Sequence, residues 1–561
     1  LPGYSLFINH KSEAIELAVD AYSAPLAWSA KDCHRSDSTI LLGMGYSAYP
    51  FAKHSIGYVD FYFEGYVYNK AYKELGEVCV KLLLAKNWPA LATLVKECDG
   101  EFLMLFYNSQ LQKWFVINDS WGRLPVYCSF SDSKVAVSRD MQILKGIGLT
   151  DVPSRIAMAE YMLFGFNLGT RTFWPGINKL KPHSIVEIDE KTGFANEMHF
   201  FQMPVMSTSE KSADRILDAL SQAMNDRLNA LPSLCLSLSG GLDSRLIAGV
   251  LTKAGHQIPA RTFVRAGNKS NQDKIGALAI AKSLGWRDYK LYHVAEQSIE
   301  DIQGLALLKP GLNNLCMSWI LPYLRDIAQN NFSLITGDGG DKFLVDTRPL
   351  RKLSSQNKFV AYLIRYHGRS TLKQVSQLSE FSEMELQNHL TAYFKSYATK
   401  DFKLAHRHFM FRERAMNWLF EGEDRNRCFA WSTTPYYNPA FIAEAMLFED
   451  GDKAYGRLFR LLFDKLPGDL NAISNPNWNS SLKQRNKIRF LMWRQAVKSY
   501  LPLRRRSVVL KNFRFHQLIQ TPQAQTDMPY LSQDQSDRYS EIQWYDLLTL
   551  LFATKQGVLP D

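Results

Sequence analysis

The sequence predicts a layered α+β domain followed by a doubly wound α/β domain that carries many added helices. Three observations predict it. Residues up to about 205 read as short apolar or aromatic runs punctuated by turn residues, the pattern of packed strands. From about 206 onward strand and helix patterns alternate, which indicates a parallel sheet with helices on its faces. Within that second part the run Leu234-Cys-Leu-Ser-Leu238 stops at Ser239, Gly240 and Gly241, then passes into the apolar helical segment Leu246–Leu251. A strand that ends in glycines and feeds a helix presents bare N–H groups at a positive helix terminus, an arrangement that binds phosphate.

Size and composition bound the answer. At 561 residues the chain is too long for one core, and we expect units at 1–205, 206–515 and a C-terminal extension at 516–561. A hydrophobic content of 46% with 13% aromatics belongs to a packed globular protein and excludes a disordered one. The formal charge of +11 is partly local, at Arg504-Arg505-Arg506 with Lys511 and Arg514 downstream. Such a patch attracts acidic peptide, polyphosphate or nucleic acid. No aromatic RNA-binding motif accompanies it, so nucleic acid is not expected as a partner. The seven cysteines include no Cys-x-x-Cys pair, which argues against a zinc site and a disulfide framework and for a reducing, cytoplasmic setting. No run of about eighteen apolar residues is present, so no membrane helix is expected.

The elements follow in order. Gly57–Phe63, Glu101–Tyr107 and Trp114–Asn118 read as strands, with a helix between them over Tyr72–Ala85. The polar stretch Met206–Ala213 separates the two halves, and a helix over about 211–230 precedes the glycine turn. Beyond the turn come a strand at Ala260–Val264, a helix at Asp273–Leu284, and strands at Tyr289–Val294 and Ser333–Thr336. Residues from about 350 to 500 are mainly helical in pattern. A polar stretch over 521–540 leads to Trp544–Phe552, read as a helix docked on the protein's own body because its flanks are not basic.

Two constellations carry chemistry. Asp243 follows the glycine turn where a carboxylate can hold the magnesium that accompanies a nucleotide. Downstream, Ser333-Leu-Ile-Thr-Gly-Asp-Gly-Gly-Asp-Lys342 again ends a strand in glycines, now with two acids, Asp338 and Asp341. Alone such a turn is weak evidence, since Asp and Gly are ordinary turn residues.

Taken together the two loops resemble a known family. Ser239-Gly-Gly-Leu-Asp-Ser244 matches without a gap the Ser-Gly-Gly-x-Asp-Ser pattern of the PP-loop ATP pyrophosphatases. With the second loop it resembles asparagine synthetases and their relatives, the β-lactam synthetases and lasso-peptide cyclases. Glu64–Asn69, Asp99–Phe102, Asn118–Tyr127, Val137–Asp140 and Thr172–Ile177 resemble stations of that family's glutaminase domain, an Ntn-hydrolase-type fold. In the second half Asp273–Ala281, Asp424-Arg425 and Trp493–Pro502 fall in register. The resemblance implies ATP and Mg2+ as cofactors. It implies that Leu238 and Val264 border the adenine or ribose, and that Ser239, Gly240, Gly241 and Ser244 hold phosphates. Thr336 and Gly337 would line the nucleotide, while Asp243 and Asp341 would hold magnesium. The reaction implied is attack of a carboxylate on the α-phosphorus, loss of pyrophosphate, and capture of the acyl-adenylate by an amine.

Departures from the pattern shape the expectation. The family's glutaminases begin with a nucleophilic Cys, whereas the sequence here starts Leu1-Pro2-Gly3 and its Arg-Gly-Pro-Asp segment is missing. We therefore expect a degenerate first domain that serves as a platform. Asp338 stands where asparagine synthetases have Glu and β-lactam synthetases have Tyr, and is a candidate base for the amine. Lys342 replaces a Glu. Phe490 occupies the register of the lysine that closes over the adenylate, leaving Lys487 or Arg489 to substitute. The expected function is an AMP-forming carbon–nitrogen ligase, independent of glutamine, that joins a small-molecule or peptide carboxylate to an amine in specialised biosynthesis. The alternatives are a glutamine-hydrolysing asparagine synthetase acting on aspartate and a non-catalytic binding protein on the same fold. A homodimer or a partner biosynthetic protein is left open.

Overall fold

The computed structural model describes residues 2–498 apart from 24–27, 132, 150–151, 205–209, 265–267, 295–297 and 398, together with residues 546, 547, 549 and 550. The basic cluster at 504–514, the polar stretch at 521–540 and part of the linker at 206–213 lie outside the described residues.

Two six-stranded antiparallel sheets build the first half. Gly3–Ile8 pairs with both Thr39–Gly45 and Val135–Ser138 in one sheet, while Val59–Val67, Gly100–Asn108 and Lys113–Asn118 are neighbours in the other. Because side chains alternate along a strand, each sheet has two apolar faces here. Leu103, Leu105, Trp114 and Val116 meet Tyr4, Leu6 and Leu41 of the facing sheet, filling the space between sheets. The residues between them in sequence, Met104, Phe106 and Phe115, pack under the helices Tyr72–Leu84 and Trp88–Lys96. Phe61 and Phe106, partners in register, stack with centroids 4.6 Å apart. Helix, two sheets and helix are thus stacked in layers, as expected.

The second half carries a five-stranded parallel sheet in the order Tyr289–His293, Ala260–Val264, Leu234–Ser237, Ser333–Ile335, Ser432–Thr433. Leu234–Ser237 comes first in the chain and lies in the middle; the next two strands add on one side and the last two on the other. The chain therefore reverses its direction of growth at this central strand, and a crevice opens at the carboxyl ends on either side of such a switch point.

Residues 356–498 are mainly helical, as the pattern predicts. The segment Phe409–Leu419 is a π-helix, which no sequence pattern announced. It continues into Phe420–Arg427, nearly every residue of which is buried despite its charges. Those charges join the two halves. Arg139 reaches Glu64 on its own side at 2.9 Å and Asp424 on the other. Lys309 donates to Asp424 at 2.6 Å and Glu421 at 2.7 Å, and Lys179 completes the row with Glu421 at 2.7 Å. Each charge in this row has an opposite neighbour, without which its burial would be prohibitive. The C-terminal Leu547 and Leu550 are buried in the helical core and Thr549 accepts from the N–H of Leu315 at 3.1 Å, so the described part of the last segment does dock on the body. Among the described residues no helix is long and apolar enough to cross a membrane.

Candidate active site

A cleft of about 390 Å³ sits at the switch point. Its floor is the glycine turn. Gly241 caps the helix Leu242–Lys253 without any side-chain hydrogen bond, so the first N–H groups of that helix face the cleft. The two serines pin the turn: the Ser239 N–H donates to Ser244 Oγ at 3.0 Å, and the Gly241 N–H donates to Ser239 Oγ at 3.2 Å. Underneath, the buried Arg245 donates to the carbonyls of Gly240 at 2.8 Å and Leu470 at 3.0 Å, clamping the turn to a later loop. Gly240 packs so closely that a Cβ would lie 2.8 Å from Pro476.

The second loop closes over the first. A Cβ on Gly340 would stand 2.5 Å from Asp243 Oδ1, so only glycine lets the Asp341 helix approach. This brings Asp243 and Asp341 into mutual repulsion: burial first, then Asp341, pushes the Asp243 carboxyl well up, with Lys342 opposing. Lys342 donates to Asp341 Oδ2 at 2.6 Å. Among the described residues no group of three or more His, Cys, Asp or Glu could hold a metal. Two facing carboxylates nevertheless fit magnesium, which takes one or two carboxylates and completes its shell with phosphate and water.

Asp338 is half-buried on the cleft wall. Its N–H donates to Thr336 Oγ1 at 3.4 Å and its carbonyl accepts from Thr434 at 2.9 Å, so its backbone is fixed. Burial and the neighbouring Glu423 push its carboxyl up to about 6. A carboxyl that titrates near neutrality in a cleft is suited to proton transfer.

Of the residues predicted from sequence, Ser239, Gly241, Asp243, Ser244, Thr336, Gly337 and Asp338 line the cleft. Gly240 and Asp341 are not in its lining, and the Asp341 side chain is half exposed. Leu238 and Val264 are buried, and neither is in the lining; the neighbouring Phe263 is. Lys487 is not brought to the cleft. Its helix, Arg485–Lys498, has Ile488 as its buried residue, and the Lys487 ammonium donates to the carbonyl of Asn479 at 2.8 Å.

The cation that does reach the cleft is Arg425. It is buried, donates to Asn313 at 3.0 Å and Asn426 at 3.0 Å, and has no carboxylate in ion-pair contact among the described residues. Its Nε lacks a hydrogen-bond partner, and burial lowers the guanidinium to about 10. A guanidinium without an ion-pair partner beside a glycine turn at a helix N-terminus suits an anion. Trp319, Trp418 and Tyr323 supply the flat walls. Sequence marked only the Asp-Arg pair; nothing in it signalled these aromatics, which come from a 3-10 helix (Trp319), the α-helix that follows it (Tyr323) and the end of the π-helix (Trp418).

Residues 215–409 match the asparagine synthase family, and residues 47–199 match the glutamine amidotransferase domain. The chain thus carries an asparagine synthase domain together with a glutamine amidotransferase domain. Both parts of the expected fold are thereby present, the layered amidotransferase sheets and the parallel α/β synthase domain. The asparagine synthase domain makes the chain an ATP-dependent carbon–nitrogen ligase, in a family that uses ATP and Mg2+. No curated protein matches the sequence. Among solved structures, NMN synthetase from Francisella tularensis is 16% identical, with 37% of this chain and 95% of that one covered at a TM-score of 0.21. Glutamine phosphoribosylpyrophosphate amidotransferase from B. subtilis, complexed with ADP and GMP, is 8% identical over 67% of this chain and 88% of its own, with a TM-score of 0.24. Overlap this slight carries no argument of its own.

Proposed function

We propose that this asparagine synthase family member activates a carboxylate as its acyl-adenylate and transfers it to an amine without drawing nitrogen from glutamine. The observation that carries the ligase reading is the meeting of the glycine turn, Asp243, Asp338 and Arg425 in one cleft, with Asp341 acting on Asp243 from beside it. The Ser239–Ser244 turn holds the phosphates on bare N–H groups and hydroxyls. Asp243 and Asp341 hold magnesium, which when bound neutralises charge on the departing pyrophosphate. Arg425 orients the substrate carboxylate or the α-phosphate. Asp338, deprotonated, accepts the proton of the attacking amine, and AMP leaves.

Two observations support independence from glutamine. Burial pushes the thiols of Cys33, Cys79, Cys98 and Cys128 up, Cys98 to about 12, so none of these is a ready thiolate nucleophile. In addition, Glu64 is locked by Arg139 at 2.9 Å, the Tyr49 hydroxyl at 2.7 Å and the Tyr4 N–H at 3.0 Å, which makes this end of the sheets structural. The carboxylate and amine are those of a specialised metabolite or peptide.

ATP–pyrophosphate exchange across candidate carboxylates tests the reading. Substrate-dependent exchange that disappears in Asp243→Ala is the expected result; silence with every carboxylate overturns it. Amide formation that stops when glutamine is withheld would restore the glutamine-hydrolysing alternative.

A further inference from the structure

The chain leaving the Asp341 helix forms one wall of a second groove. Asp346–Leu353 faces Lys400–Lys403 and the helix Arg485–Lys498 across a space of about 780 Å³, twice the nucleotide cleft at about 390 Å³. Five of its lining side chains are Arg or Lys and two are Asp. Both acids are already engaged. Asp346 pairs with Arg348 at 2.7 Å, and Asp401 caps its helix through the Lys403 N–H at 2.9 Å. Lys352, Lys400 and Lys403 are exposed and pair with no carboxylate among the described residues. In the same groove Trp493 is 61% exposed, and the neighbouring Phe490 is 57% exposed with the two rings 5.9 Å apart. Large aromatics in water beside uncompensated cations mark a binding surface.

We propose that this groove binds an acidic peptide segment that carries an aromatic anchor, the part of the ligase's peptide substrate remote from the reacting carboxylate. Carboxylates of the segment meet the three lysines and its aromatic side chain lies on Trp493. A nucleic acid fits less well, since Asp346 and Asp401 line the two facing sides of the groove, along which a continuous phosphate backbone would run. That the segment belongs to the substrate rests on the ligase reading; the affinity of the groove does not.

Fluorescence anisotropy of the full chain with a fluorescein-labelled peptide of Asp and Glu containing two phenylalanines tests this. We expect saturable binding that weakens with salt. The triple variant Lys352→Glu, Lys400→Glu, Lys403→Glu should lose about tenfold or more in affinity, as should Trp493→Ala. All four positions are exposed, so circular dichroism should be unchanged. Undiminished binding by the triple variant overturns the proposal, as does equal binding of a phenylalanine-free peptide or tighter binding of a single-stranded RNA of matched charge. If exchange fails with every carboxylate while the peptide still binds, the ligase reading falls and the groove stands. Intact exchange without peptide binding sinks the groove alone.

Discussion

Replacing Asp338 by Asn separates the two half-reactions. The amide keeps the shape of the side chain, and the backbone contacts to Thr336 and Thr434 do not involve the carboxyl. Adenylation needs no base for an amine, so exchange should stay within about threefold of the parent. Amide formation should fall about 10²- to 10⁴-fold, the usual worth of a positioned base, or about 2.7–5.5 kcal/mol of barrier. The pH profile gives an independent check. Burial and Glu423 raise the carboxyl from 3.8 to about 6, so the parent has its acid limb there. Below that pH the carboxyl is protonated and cannot accept the amine's proton; at pH 5 about one-tenth of the rate remains. In Asp338→Asn the limb should vanish. Product and AMP are followed by chromatography against exchange in the same buffers. Equal losses of exchange and amide formation would refute the assignment and place Asp338 among the nucleotide ligands.

Three further outcomes are expected. Glu423→Gln removes the negative charge that helps raise Asp338 and leaves Arg123 and Arg427 nearby, while Asp341 and Lys342 still face it; the acid limb should move to lower pH, and an upward shift would contradict the geometry. Gly340→Ala drives a methyl toward Asp243 Oδ1, 2.5 Å away, and exchange should drop about 10²-fold with unchanged circular dichroism, because a displacement of about 1 Å at a reacting centre has that effect. Arg139→Met strips Glu64 and Asp424 of their shared guanidinium and should cost about 3–5 kcal/mol in chemical denaturation; a loss under about 1 kcal/mol would show that the row between the halves does not hold them. Burial pushes the Asp424 carboxyl up, but Arg139 and Lys309 outweigh it and hold it below the ordinary range. This stabilisation is present above the usual carboxylate pKa and is lost as pH falls through the lowered value, so the deficit of Arg139→Met should shrink in acid.

Much of the fold was legible because local pattern and tertiary environment agree. Glu101–Tyr107 and Trp114–Asn118 read as strands since apolar residues fill both faces of a doubly covered sheet, and they fall within the strands Gly100–Asn108 and Lys113–Asn118. Ala260–Val264 and the helix Ala213–Ala230 fall within a few residues of their expected bounds. The π-helix Phe409–Leu419 was not legible, as its extra residue per turn leaves no period in the sequence. Lys487 was chosen by register along the chain, whereas a long flexible side chain is placed by the direction its helix takes, and this helix faces outward.

The sequence alone determined where the proposed activating chemistry is sought. Ser239-Gly-Gly-Leu-Asp-Ser244 is a local device: glycines, a helix terminus and a carboxylate stand a few residues apart, a combination suited to phosphate and metal. Which groups surround that device was decided only by tertiary structure. Arg425 and Asp338 lie far apart in the chain, yet the parallel sheet brings them to one crevice, where burial lowers the first to about 10 and raises the second to about 6. Desolvation and opposed charge act through space, not along the chain, so no spacing in the sequence could reveal them.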